Sequence, residues 1–292
     1  MLTKIKTSRI KANMAQEEFI RHCKLKNLRP ETIKYYEEDI DFFLESTHIL
    51  FIDEVNQRLY ESFLMERMAI TKITSLNSRI RGLRVFFKFC AKNGWMELFD
   101  IKLLKEDAEE KEPYTDDELK RLLKQPNSES WVEWRTWAAI NFMTATGARM
   151  NTVLNIKVKD IDFNKGFIFY SILKNRKQQY VPLSPSLNSV LQFYLNCWDA
   201  KPDDWLFPSN TLNQMDKRSF QSSIMRYNLS RGVSKTSVHL FRHTFAKKFV
   251  TNGGELVQLQ GWLGHSTLDM SRHYVNLYGQ ELKSIDIIDN LL

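Results

Sequence analysis

Apolar residues in the first third of the chain recur every three or four positions, which is the spacing of one face of an α-helix. Pro30 suits a first helical turn, and Ile33, Tyr36, Ile40, Phe43 and Leu44 follow it at helical spacing. Asp53 is placed to cap a next helix carrying Val55, Leu59 and Phe63, and Ser75 to cap another that Gly94 ends. With an earlier helix around Gln16 to Lys26, these predict a four-helix bundle. In the last of them Leu76, Ile80, Leu83, Phe87 and Cys90 fall within about 80° of arc at roughly 100° per residue. Arg81, Arg84, Lys88 and Lys92, with Arg79 close by, gather beside that stripe. They form either a solvated basic face or a strip that follows a phosphate backbone.

Beyond residue 112 the pattern stays helical with one interruption. Thr115 followed by Glu118 is a capping box and starts a helix, and a long apolar helix from Trp131 to Thr146 ends at Gly147. Between Asp160 and Pro182 the period changes. Phe167 to Ile172, a polar Lys174-Asn175-Arg176-Lys177 turn, then Tyr180 and Val181 predict an antiparallel hairpin. From Pro185 onward the helical period returns. The expected fold is mainly α with a small antiparallel sheet.

Charge divides the chain in the same place. Residues 1–104 carry net +4 and residues 113–292 net +6, while Lys105 to Glu112 between them carries −3, making +7 in all. The expected organisation is two basic lobes, 1–104 (helical) and 113–292, joined by an acidic linker (105–112). A basic excess permits a polyanionic partner without requiring one. No apolar run nears the ~18 residues of a membrane span, and the basic N-terminus lacks the apolar stretch of a secretory signal. Three scattered cysteines, Cys23, Cys90 and Cys197, fit a reducing cytoplasm better than a disulfide framework.

Four of the six histidines, His239, His243, His265 and His273, lie near the C-terminal end. His239 and His243 are one helical turn apart, but Arg242 between them would repel a dication, so a metal site is not expected. A histidine base beside a permanent cation suits an anion whose charge grows during reaction, such as a phosphate. The run Leu263-Gly264-His265-Ser266 with Tyr274 downstream, and Thr146-Gly147-Ala148-Arg149 upstream, complete the set.

Taken together, these boxes, spread over about 125 residues, resemble those of the tyrosine recombinases, and the match spans nearly the whole sequence: residues 1–104 look like the family's helical core-site DNA-binding domain and residues 113–292 like its catalytic domain. The resemblance implies that Tyr274 attacks a DNA phosphate to form a 3′-phosphotyrosyl link and that His239 accepts its proton. It further implies that Arg149 and Arg242 hold the non-bridging oxygens, that His265 adds a hydrogen bond, and that Lys174 protonates the leaving 5′-hydroxyl. No cofactor, metal or nucleotide is implied. The expected partner is a duplex recombination site, bound by a tetramer whose C-terminal helix (Leu282, Ile285, Ile288, Leu291, Leu292) docks on a neighbour. The expected setting is the cytoplasm, for a bacterial or phage-encoded protein associated with the nucleoid. One departure stands out: many relatives have Glu three residues after the first Arg, and this chain has Thr152. What braces Arg149 or His265 is thereby left open. Two other activities share these features: a type IB topoisomerase-like nick-and-reseal enzyme and a non-cleaving DNA-binding regulator.

Overall fold

The structure is a computed structural model, and it describes residues 9–106, 112–170, 179–264 and 267–278. The chain divides into two compact units, Met1–Glu109 and Glu110–Leu292.

The first unit holds α1 (Ala12–Leu25), α2 (Pro30–Thr47), α3 (Gln57–Met68) and α4 (Ile73–Lys92). All four expected helices are present, and three start elsewhere than their local signals suggest. α1 begins at Ala12 because the chain pairs across to the segment before α3, with the Ala12 N–H donating to the Leu50 carbonyl at 2.9 Å. α3 is capped by Asn56, whose Oδ1 accepts from the Leu59 N–H at 3.0 Å. Asp53 instead takes a 2.8 Å ion pair from Arg9. α4 starts at Ile73, so Ser75 lies within its first turn. The predicted stripe is the core: Leu76, Ile80, Leu83, Phe87 and Cys90 are fully buried. Phe43, Phe63 and Phe86 join them through edge-to-face and tilted ring contacts that reach Phe87.

The second unit runs α5 (Asp116–Leu123), α6 (Trp131–Thr146), α7 (Met150–Asn155), β1 (Ile161–Asp162), β2 (Phe167–Tyr170), β3 (Gln179–Pro182), α8 (Pro185–Asn196), α9 (Lys217–Ser230), α10 (His239–Thr251), α11 (Leu256–Leu263) and α12 (Asp269–Tyr278). The capping box forms as read: Thr115 Oγ1 accepts from the Glu118 N–H, and Glu118 Oε2 accepts from the Thr115 N–H at 2.8 Å. α6 is the central post, packed by α5, α8, α9 and α10. That enclosure is why its sequence is apolar nearly all round from Trp137 to Met143, with the half-buried Asn141 the exception. The sheet is antiparallel in the order β1-β2-β3, with Ile168 opposite both Ile161 and Val181. The tip of the predicted hairpin, residues 171–178, lies outside the described residues. Among the described residues no helix is long and apolar enough to cross a membrane.

Candidate active site and nucleic-acid interface

Two left-handed glycines set the site. Gly147 (φ 63°) ends α6 and turns the chain so that Arg149 caps α7. Gly264 (φ 59°) ends α11 and stops its last carbonyls short of any further helical partner. A Cβ at Gly147 would lie 2.6 Å from the Phe245 ring and 2.7 Å from Leu263, so the turn is also closely packed against α10 and α11.

Side chains fill the exposed end of α11. Arg149 Nη1 donates to the Leu263 carbonyl at 3.0 Å, and both its Nη atoms reach the Gly264 carbonyl at 3.4 Å. Arg242, on the first turn of α10, donates to the same Leu263 carbonyl at 2.7 Å and to the Gly147 carbonyl at 2.9 Å. Gln179, the first residue of β3, donates to the carbonyls of Gly261 at 2.5 Å and Trp262 at 2.8 Å. Four successive carbonyls at a helix C-terminus, where the backbone is electron-rich, thus accept from these side chains: Gly261 and Trp262 from the Gln179 amide, Leu263 and Gly264 from two guanidinium groups held side by side. These carbonyls brace Arg149 from outside its own turn. Thr152 itself is buried, and its N–H bonds the Arg149 carbonyl at 2.8 Å.

Both arginines bury positive charge. Arg242 is 4% exposed. Burial, reinforced by Arg149 beside it, pulls its pKa down to about 9, so it remains cationic at neutral pH. Burial also lowers Arg149. Among the described residues no carboxylate pairs with either; their partners are neutral carbonyls.

Tyr274, on α12, completes the group. Its ring is 5% exposed and packs with Ala246, Val250, Leu259 and Leu263. Burial raises its pKa, opposed by the fields of Arg242 and Arg149. Burial wins, and the phenol is neutral at pH 7. His243 lies between Tyr274 and His239: its ring centroid is 5.6 Å from the tyrosine ring and 4.7 Å from that of His239. His239 is exposed and lines a cleft of about 380 Å³.

The structure therefore brings Arg149, Arg242 and Tyr274 together, with His239 linked to them through His243. Lys174 and His265 lie outside the described residues, although Gln179 and Gly264 flank their segments. The sequence reading missed Gln179 and gave His243 no role. Neither has a local signal, since Gln179 meets α11 across 82 residues. Among the described residues no three His, Cys, Asp or Glu side chains could hold a metal ion.

The five basic residues of the first unit separate into two sets. Arg81, Lys88 and Lys92 are exposed along one line of α4. Arg79 and Arg84 are occupied within the unit. Arg79 meets Asp39 at 3.4 Å and lies over the Phe42 ring at 4.0 Å, while Arg84 donates to the Ile101 carbonyl.

The profile of the phage integrase family matches residues 113–281, more than half of the chain. The chain belongs to the phage integrase family. Tyrosine recombinase XerC of Staphylococcus aureus strain N315 is 26% identical over 294 residues, covering 94% of this chain and 95% of that protein. The Tn1549 transposon integrase, solved in complex with transposon right end DNA, superposes with a TM-score of 0.77 at 18% identity, over 91% of this chain and 94% of that one. A lambda integrase dimer bound to a COC′ core site gives a TM-score of 0.74 at 15% identity, over 91% and 77%. At these identities the solved structures establish the integrase fold rather than the role of any residue.

Proposed function

We propose that this integrase-family enzyme is a site-specific DNA recombinase that cuts and rejoins strands through a tyrosine–phosphate link. One observation carries the reading: a buried and a half-buried guanidinium group, with no counter-ion among the described residues, converge on the Leu263 carbonyl, next to a tyrosine. Neutral carbonyls orient these cations but do not cancel their charge, so the site is complementary to an anion. A phosphodiester moving toward a pentacoordinate transition state gains charge on its non-bridging oxygens. Paired guanidiniums stabilise that charge and stay protonated at neutral pH.

In the step assigned here, the Tyr274 phenol oxygen forms a bond to phosphorus and the bond to the 5′-oxygen breaks. The phenol proton passes to the His239–His243 pair, and the departing 5′-oxygen takes its proton from Lys174. Burial keeps the phenol neutral, so the base acts during attack rather than before it. The ring has to leave its packing against Leu259 and Leu263 to meet a phosphate, which makes displacement of α12 part of the reaction. His265 adds a hydrogen bond to the phosphate, and the new bond keeps the energy of the old one, so no nucleotide is consumed. Arg81, Lys88 and Lys92 follow the DNA backbone. Residues 279–292 dock on a neighbouring protomer in a four-protomer complex. The solved lambda integrase tetramer on a Holliday junction lends support to that assembly.

The test is a nicked suicide duplex carrying the cognate site. Wild type should form a covalent protein–DNA adduct, and Tyr274→Phe should bind the duplex without forming one. Tight binding without an adduct in wild type would overturn cleavage and leave a DNA-binding regulator. Relaxation of supercoiled DNA lacking the site would point to a nick-and-reseal enzyme.

A further inference from the structure

Away from the tyrosine, a second cavity of about 550 Å³ opens between α6, the 208–216 loop and α9. Three arginines line it: Arg135 from α6, and Arg218 and Arg226 from α9. Arg135 is 4% exposed, and its hydrogen-bond partners are neutral: the Pro208 carbonyl at 2.7 Å and Asn210 Oδ1 at 3.0 Å. Among the described residues Arg135 makes no ion pair, and neither do the exposed Arg218 and Arg226. Ser219 and Ser222 add hydroxyls along the same face of α9, while the buried Ser223 hydroxyl donates to the Ser219 carbonyl at 2.9 Å. The one carboxylate in the lining, Asp216, is engaged in capping α9, where its Oδ1 accepts from the Ser219 N–H at 2.9 Å.

We infer that this cavity is a second phosphate-binding site, distinct from the one that holds the reacting phosphate. A buried guanidinium hydrogen-bonded only to neutral oxygens keeps its whole charge, and two further cations stand at the same opening. Phosphate suits this lining because its oxygens accept from guanidinium forks and hydroxyls together. Arg218 and Ser222 also line the cleft that His239 lines, so the two cavities adjoin along α9. The phosphate is either a backbone phosphate of the DNA or a free phosphate-bearing molecule. Only the first source rests on the recombinase reading.

The test uses the full-length protein and two probes. In the first arm, inorganic phosphate and pyrophosphate are titrated without DNA, with chloride as the control and with Arg149→Gln to remove binding at the tyrosine site. Arg226→Gln and Arg218→Gln should each weaken the remaining binding about tenfold. Both residues are exposed, so these variants avoid the folding risk of Arg135→Ala. In the second arm, a duplex is scanned with single neutral methylphosphonates. A backbone source predicts one position, apart from the cleaved phosphate, where wild type loses about tenfold and Arg226→Gln loses nothing further. A response in the first arm alone assigns the site to a free ligand, and a response in the second assigns it to DNA. Silence in both overturns the site and leaves Arg135 as a brace for the 208–210 loop. Because the first arm needs no cleavage, it can succeed where the tyrosine chemistry fails.

Discussion

Each unit buries charge, and the two do so in opposite ways. In the first unit Asp39, 3% exposed, lies where α2 crosses α4, directly against Gly82. Its counter-ion comes from the same unit: Arg79 is 3.4 Å away and held flat over Phe42. In the second unit Arg149, Arg242 and Arg135 are surrounded by carbonyl and amide oxygens, and the described residues offer them no acid. A carboxylate with an arginine of its own unit beside it is closed to an outside ion, even though burial leaves its Oδ2 without a hydrogen bond, and it sits at a helix crossing. A guanidinium matched only by carbonyls is geometrically held but electrically open. The difference separates charge buried for structure from charge that awaits a ligand.

The largest effect should come from the group that the open cations surround. Tyr274→Phe should remove the covalent adduct completely on a suicide duplex while leaving the affinity of a gel shift within about twofold, since a phenol oxygen adds little to binding beside the backbone contacts. Any adduct formed by the variant would place the nucleophile elsewhere. Next comes Arg242→Lys. An ammonium cannot span the Gly147 and Leu263 carbonyls and also present a fork to phosphate, so cleavage should fall about 100- to 1,000-fold, as for loss of one transition-state donor. Single-turnover cleavage at saturating protein measures this. A loss seen only in DNA affinity, with the chemical rate intact, would mean that Arg242 serves binding alone.

Much of this contrast was legible before any coordinates. Helical period marked all four helices of the first unit, and the Thr115–Glu118 cap appeared because both halves lie within one turn. The order of the boxes gathered Arg149, Arg242 and Tyr274. What stayed hidden depends on partners far along the chain. Asn56 rather than Asp53 caps α3 because Arg9, 44 residues away, takes Asp53. Arg79 and Arg84 look identical to Arg81 and Lys88 until Asp39 and the Ile101 carbonyl come into reach. Arg149's brace is 114 residues downstream, on backbone oxygens that carry no side-chain signature.

The closed arrangement should fail by packing and by pH. A Cβ on Gly82 would sit 2.1 Å from Asp39 Oδ2, so Gly82→Ala should destabilise the first unit by about 1–3 kcal/mol. Hydrogen exchange across residues 30–92 would report this, with α6 to α10 unaffected. Faster exchange in both units alike would show that the damage is not confined to the crossing. Burial raises the Asp39 carboxyl from 3.8 to about 6, against the pull of Arg79. The folded form therefore binds this proton more tightly than the unfolded chain does. The group's contribution is complete below about pH 4 and is lost as pH rises through 6, a swing on the order of 2–3 kcal/mol. Asp39→Asn should remove that part of the pH dependence. A wild type and variant with parallel profiles between pH 4 and 7 would mean that Asp39 ionises normally in the fold.

The smallest effects test how the basic residues of α4 divide. Each exposed cation that neutralises a DNA phosphate releases about one counter-ion, so Arg81→Gln, Lys88→Gln and Lys92→Gln should each lower the slope of log affinity against log salt by about 0.9. At a single salt concentration the change is modest, and the slope resolves it better than one binding constant. Arg79→Gln should behave differently because its charge is already matched by Asp39. It should leave the salt slope unchanged and speed hydrogen exchange at the α2–α4 crossing, where Asp39 would lose its counter-ion. If Arg79→Gln instead lowered the slope as Lys88→Gln does, Arg79 would have to exchange Asp39 for a phosphate on binding. The first unit would then also hold a charge that opens to its ligand, and the contrast between the units would narrow to a difference in their unbound states.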